Sequence, residues 1–189
     1  MIQAILLAAG AGRRFGADKR LYPLAGGTPM ALAAARNLVE ALPGALAVVG
    51  VADDTLADLL GVAGLTVTRC PDAARGMGAS LAWGVAQRPE ADGWLIALAD
   101  MPFIRPATIL RVAEAIRTPD AIAAPVFHGR RGHPVAFGSL YGEALLRLDG
   151  DRGGRDVLER HAGKLVPVSG DDPGVLRDID TAGDLSISA

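Results

Sequence analysis

A single cysteine, Cys70, stands in a chain of 189 residues. That excludes an intramolecular disulfide framework and any zinc site built from several thiolates, and it fits a reducing cytoplasm. Histidine is nearly as scarce, with three residues, and no serine–histidine–aspartate set suggests itself for acyl transfer. Aromatic residues make up 4%, and Trp83 and Trp94 read as core rather than as stacking platforms. A surplus of positive charge is also missing. The formal net charge of -2 provides no global field for nucleic acid, so anion binding must come from local arginine and lysine clusters, and small anions are the expected partners. No uninterrupted apolar run reaches the roughly 18 to 20 residues that span a bilayer. The apolar opening Ile2 to Ala9 has no basic residue ahead of it and runs into Arg13-Arg14, the reverse of a secretory signal, so it reads as a buried strand and the protein as soluble.

What is present is apolar mass, 50% of the residues, enough for one sizeable core; a single domain over residues 1–189 is expected. Short apolar runs without alternation recur at Ile2 to Ala8, Ala47 to Val51, Leu65 to Thr68, Trp94 to Ala99 and Ala121 to Val126, as in strands buried on both faces. Between them lie helical periodicities. Thr28-Pro29 serves as a cap and first-turn pair for a helix to about Leu42, and Pro106 to Ile116 spaces Ile109, Val112 and Ile116 on one side. The alternation predicts an α/β fold, a Rossmann-like open and mostly parallel sheet with helices on both faces, whose ligands lie beyond the carboxyl ends of the strands. Residues 127–168 are less regular and are expected to form a subregion that closes over the site.

Leu7-Ala8-Ala9-Gly10-Ala11-Gly12-Arg13-Arg14-Phe15-Gly16-Ala17-Asp18-Lys19 follows the first strand. Its glycines allow turns that leave successive amides free for phosphate oxygens, and Arg13, Arg14 and Lys19 supply cations. It is not a dinucleotide fingerprint, because Phe15 stands where the third glycine belongs. Nor is it a Walker loop, because Ala17 and Asp18 separate Gly16 from Lys19. The plain alternative is a strand-to-helix turn with solvated arginines.

Asp100 ends the strand Trp94 to Ala99 and is a natural magnesium ligand at a carboxyl end; one further carboxylate and the substrate phosphates would complete such a site. The tail Arg177-Asp178-Ile179-Asp180-Thr181 offers it, with Ile179 buried and Asp178 and Asp180 on the other face; Asp180 reads equally as a helix cap. Arg75 to Leu81 is another glycine turn opening a helix, suited to base or ribose contact through Gly78 and Ser80, with helix capping as the alternative for the serine. Arg130, Arg131, Arg152 and Arg155 are candidates for a local anion site, and His133 is suited to orienting an acceptor or to a buried role satisfied by backbone.

Leu7 to Lys19 resembles the signature of the nucleotidyltransferases that attach a nucleoside monophosphate to the molybdenum cofactor or to sugar and isoprenoid phosphates. That resemblance implies that Leu7, Ala8, Ala9, Gly10, Gly12, Arg14 and Lys19 bind the nucleotide, with Arg14, Lys19 and Asp100 catalytic. It also places magnesium on Asp100 and Asp180, although Ala182 stands where relatives carry proline. Gly132 to Phe137 and Gly150 to Asp156 resemble segments of the molybdenum cofactor cytidylyltransferase branch, which implies His133, Arg152 and Arg155 on the acceptor side. The implied reaction transfers CMP from CTP to the terminal phosphate of the molybdopterin cofactor, followed by transient contact with a molybdoenzyme, in the cytoplasm and without nucleic acid or membrane. CTP follows from Ala9, since guanylyltransferase relatives carry glycine there; relatives often carry asparagine near Cys70. Alternatives are GTP, a sugar or other small phosphate as acceptor, and a non-catalytic cofactor carrier.

Overall fold

The computed structural model describes residues 1–10 and 18–180. Its strands are β1 (Ile2–Leu7), β2 (Leu46–Gly50), β3 (Thr66–Cys70), β4 (Gly93–Leu98), β5 (Ile122–Phe127), β6 (Arg130–Arg131), β7 (Val135–Gly138) and β8 (Leu165–Ser169). Its helices are α1 (Met30–Ala41), α2 (Asp54–Val62), α3 (Met77–Ala86), α4 (Pro106–Glu114), α5 (Gly142–Leu146) and α6 (Arg155–Arg160). One sheet holds all eight strands: β3, β2, β1 and β4 run parallel, β7 lies antiparallel between β4 and β5, and β6 and β8 attach to β5.

The non-alternating runs have a simple cause. Along β1, Ala4 and Leu6 face one core with Ala47, Val49 and Ala97, while Ile5 and Leu7 face a second core with Val48, Trp94 and Ile96. Successive side chains point to opposite faces, so a strand covered on both sides must be apolar at every position. Helices α1, α2 and α4 supply Leu38, Leu60 and Ile109 to the first core; α3, α5 and α6 supply Leu81, Leu145 and Val157 to the second. Each fully buried side chain of this size contributes roughly 1.5–3 kcal/mol.

One reading of the sequence shifts. Pro29 is the residue before α1, not its first residue, because it is still extended, held in a short hairpin that turns at Ala25 to Gly27: Pro23 and Pro29 form a bridge, Leu24 N–H donates to Thr28 O, and Met30 N–H donates to Tyr22 O. Residues 127–168, expected to form a subregion that closes over the site, join the main sheet through β7, whose Trp94–Phe137 and Leu95–Ala136 pairs put it directly beside β4. Among the described residues no helix is long and apolar enough to cross a membrane.

Since β7 is antiparallel to both neighbours, β5 runs parallel to β4. The carboxyl ends of β1, β4 and β5 therefore open on the same side of the sheet, where Ala8 to Gly10, Asp100 and the β5–β6 hairpin are found.

Candidate active site

The chain leaves β1 with its backbone only partly committed. Leu7 O accepts from Ala99 N–H, Ala8 N–H donates to Val48 O, and Ala8 O accepts from Arg20. The amides of Ala9 and Gly10 have no hydrogen-bond partner among the described residues. Two consecutive free amides at the carboxyl end of a central strand suit an anion. Gly12 and Arg14 lie outside the described residues.

Lys19 is placed by a short 3₁₀ turn, Lys19–Leu21, whose cap Asp18 accepts from Arg20 N–H. Arg20, read in the sequence as nothing in particular, anchors the turn. Its guanidinium is buried, donates to both oxygens of Asp18 at 2.7 Å, to both oxygens of Asp53 at 2.7 and 2.8 Å, and to Ala8 O at 2.6 Å. Burial opposes its charge, but the bonds from Asp18 and Asp53 outweigh that and raise its pKa further. The signal that could have found it is a bidentate-capable arginine next to Lys19 with Asp18 beside it; its second partner, from the β2–α2 turn, is invisible in sequence.

Asp53 also accepts from Gly50 N–H at 2.8 Å. Arg20, opposed by partial burial and helped by that amide, holds the Asp53 carboxyl below its ordinary value of 3.8. A depressed carboxylate contributes stability that is present above the unfolded value and is lost as pH falls through the folded one. The melting temperature of D53N should therefore lie below that of the wild type at neutral pH, the gap narrowing on acidification below the ordinary aspartate value. A gap independent of pH in thermal scans would contradict the assignment.

The Lys19 ammonium donates to Asp100 Oδ2 at 2.9 Å, to Ile179 O at 3.1 Å and to Asp180 Oδ1 at 3.1 Å. Burial opposes its charge, but Asp100 first and then Asp180 raise its pKa above the ordinary lysine value, so it is protonated throughout the neutral range. The carboxyl-terminal segment reaches this point because Ile179 is fully buried and its N–H donates to Asp100 O at 3.0 Å. Asp178 and Asp180 are both exposed, as the alternation with Ile179 predicts, and it is Asp180 that meets Lys19.

Whether these residues fit a divalent cation can be judged from Asp100. Its Oδ1 is buried with no hydrogen-bond partner among the described residues, an acceptor left open beside the Lys19 pair. Among the described residues no cluster of three or more histidine, cysteine or acidic side chains forms a closed metal cage. Two carboxylates with one oxygen free suit a cation that keeps most of its shell for phosphate and water, as magnesium does.

His133 sits on the same face. Its N–H donates to Val175 O, the peptide bond to Pro134 is cis, and its Nδ1 is buried without a hydrogen-bond partner among the described residues. Burial lowers its pKa, countered by the charge of Asp100 and reinforced by Arg131, which leaves a neutral imidazole. The remaining candidates are held elsewhere. Gly78 N–H donates to Gly150 O at 2.7 Å, and Ser80 is buried with its hydroxyl 3.5 Å from Gly76 O. Arg152, in the turn before α6, pairs with Asp156 at 2.7 Å and Glu159 at 2.8 Å, and Arg155 pairs with Glu159 at 2.8 Å, all at the surface.

The start of α3 and residues 149–150 thus form a tight backbone contact. A methyl at Gly78 would stand 2.6 Å from Asp149 O and 2.8 Å from Asp149 N. G78A should lower stability by about 1–3 kcal/mol through overpacking, measured by urea unfolding. A fully stable G78A would mean that this contact gives way and that the glycine is kept for another reason.

Residues 4–165 match the MobA-like NTP transferase domain family. The purine catabolism protein PucB of Bacillus subtilis is 32% identical, covering 94% of this chain and 90% of its own. The nicotine blue oxidoreductase of Paenarthrobacter nicotinovorans is 28% identical, covering 95% and 92%. Among solved structures, a nucleotidyl transferase from Methanothermobacter thermautotroptrophicus superposes with a TM-score of 0.81 at 25% identity, covering 97% of this chain and 94% of that one. Rv0371c of Mycobacterium tuberculosis, solved in complex with manganese, superposes with a TM-score of 0.77 at 26% identity, covering 98% and 96%. By the extent of that match the chain belongs to the MobA-like NTP transferase domain family and carries a nucleotidyltransferase domain.

Proposed function

We propose that this protein transfers CMP from CTP to the terminal phosphate of the molybdopterin cofactor, releasing pyrophosphate. The observation that carries the transferase part is Lys19, held between Asp100 and Asp180 at the carboxyl end of the sheet, where the amides of Ala9 and Gly10 have no hydrogen-bond partner among the described residues. CTP and the molybdopterin acceptor rest on Ala9 and on the Gly132 to Phe137 and Gly150 to Asp156 segments.

In this reading the amides of Ala9 and Gly10, with Arg14, cradle the triphosphate. Lys19 gives up one carboxylate contact to meet the phosphate oxygens. Magnesium, when bound by Asp100 and Asp180, supplies charge neutralisation at the α-phosphate and the leaving group. An acceptor phosphate oxygen forms a new bond to the α-phosphorus as the bond to the bridging β-oxygen breaks, and the electron pair leaves with pyrophosphate. The acceptor needs no general base, because a phosphate monoester with a second pKa of about 6 is largely ionised at neutral pH. That agrees with a site whose one histidine is buried and neutral. His133 orients the acceptor, and Gly78 and Ser80 shape the wall nearest the base through α3.

The test is incubation with each of the four nucleoside triphosphates, magnesium and molybdopterin cofactor, following pyrophosphate. CTP-dependent release that requires the cofactor is expected. Preferential use of GTP would overturn the cytidylyl assignment, and release with sugar phosphates but not the cofactor would overturn the acceptor. Cofactor binding with no pyrophosphate from any nucleotide would leave a carrier.

A further inference from the structure

The four arginines that the sequence groups into one anion site are two different kinds. Arg152, in the turn before α6, and Arg155, at its start, spend their guanidiniums on Asp156 and Glu159 of that helix. Arg130 and Arg131 have no ion-pair partner among the described residues, although both are exposed. They form the return strand of a tight hairpin in which Val126 pairs with Arg131 and Phe127 with Arg130, turned by His128 and Gly129, both at positive φ. The hairpin extends from the carboxyl end of β5, on the side of the sheet that holds Lys19 and Asp100.

Adjacent residues of a strand point to opposite faces, so the two arginines cannot serve the same site. Phe127 packs on the core that contains α1 and α4, which puts its partner Arg130 on that face. Arg131 faces the other way, toward α3 and α6, and its charge bears on His133. Two residues on, His133 Nδ1 is buried and has no hydrogen-bond partner among the described residues, and the charge of Asp100 bears on the same imidazole. A guanidinium with no ion-pair partner and an imidazole nitrogen with no hydrogen-bond partner among the described residues thus stand two residues apart at the end of the sheet where Asp100 lies.

We propose that Arg131, with His133 beside it, receives the anionic phosphate of the acceptor, and that Arg152 and Arg155 do not. The assignment rests on the transferase reading above, and it makes the β5–β6 hairpin the acceptor clamp. A guanidinium with no internal partner can offer its fork to two phosphate oxygens without first breaking an existing ion pair.

Binding of molybdopterin cofactor to the full-length protein, followed by pterin fluorescence without nucleotide, tests this apart from catalysis. R131Q should weaken binding by about ten- to hundredfold, the range for losing a charged hydrogen bond. R130Q removes the same charge from the same hairpin on the opposite face and should bind at least several-fold more tightly than R131Q. In steady state R131Q should raise KM for the cofactor while KM for CTP stays within about twofold. The proposal is overturned by R131Q binding as the wild type does, by R130Q and R131Q losing affinity equally, by a larger loss in an R152Q/R155Q double variant, or by no binding to the wild type at all. Binding that follows the expected order without pyrophosphate release from any nucleotide would instead refute the transferase reading and keep Arg131.

Discussion

Replacing Asp100 with asparagine is expected to lower nucleotidyl transfer by about 10²- to 10³-fold, the scale for removing one preorganised electrostatic group from a reacting centre, while the protein stays folded. The side chain keeps its size, and the backbone bond from Ile179 N–H to Asp100 O does not involve it. What is lost is one negative charge and the open Oδ1 acceptor at the centre of the site. Lys19→Met should cost a similar factor by the opposite route, since it removes the cation and leaves Asp100 and Asp180 facing each other without their shared ammonium. The two variants therefore separate in metal dependence: D100N should need more magnesium for half-maximal rate, and K19M should not need more. Circular dichroism melts establish that both are folded, and rate against magnesium concentration reads the difference. D100N within tenfold of wild type at saturating magnesium would remove Asp100 from the reacting centre.

The second large effect is on stability. Arg20→Met should destabilise the fold by about 3 kcal/mol, the lower end of the range for stripping one partner from a buried ion pair. The guanidinium is 8% exposed but its partners Asp18 and Asp53 are 32% and 21% exposed, so water can partly rescue the carboxylates left behind. Ala8 O would also lose its donor. Because Lys19 is the neighbouring residue on the same short turn, R20M should also reduce transfer activity although Arg20 touches neither Asp100 nor Asp180. Adding D53N to R20M removes one of the orphaned carboxylates and should recover part of the stability, with a coupling energy on the order of 1 kcal/mol or more. Strictly additive losses in urea unfolding would show that the two residues do not act as a unit.

Both predictions depend on partners far apart in the chain, and here the sequence is least informative. Strands β1, β2, β4 and β5 were readable because burial on both faces forces continuous apolar runs. Strand β7 was not: Val135 to Gly138 is four residues long, follows a proline, and is recognisable only by pairing with β4. Strand β8 is an exposed Leu-Val-Pro-Val-Ser segment with no apolar run to mark it. The start of α1 moved by one residue because a bridge between Pro23 and Pro29, a tertiary constraint, keeps the chain extended where local preference favours a helix.

By itself the sequence determined the chemistry on offer: a glycine-rich segment after a buried strand, cations within it, carboxylates at Asp100 and Asp180, and the absence of thiolate or triad alternatives. These are local properties, set by which side chains follow a strand and by what spacing permits. Only the tertiary structure decided which charges are spoken for. It joined Lys19 to Asp100 and Asp180, buried Arg20 between Asp18 and Asp53, and paired Arg152 and Arg155 with acidic side chains of α6, while Arg131 has no ion-pair partner among the described residues. Ion pairs across tens of residues depend on where strands and turns converge, and one-dimensional spacing carries no record of that convergence.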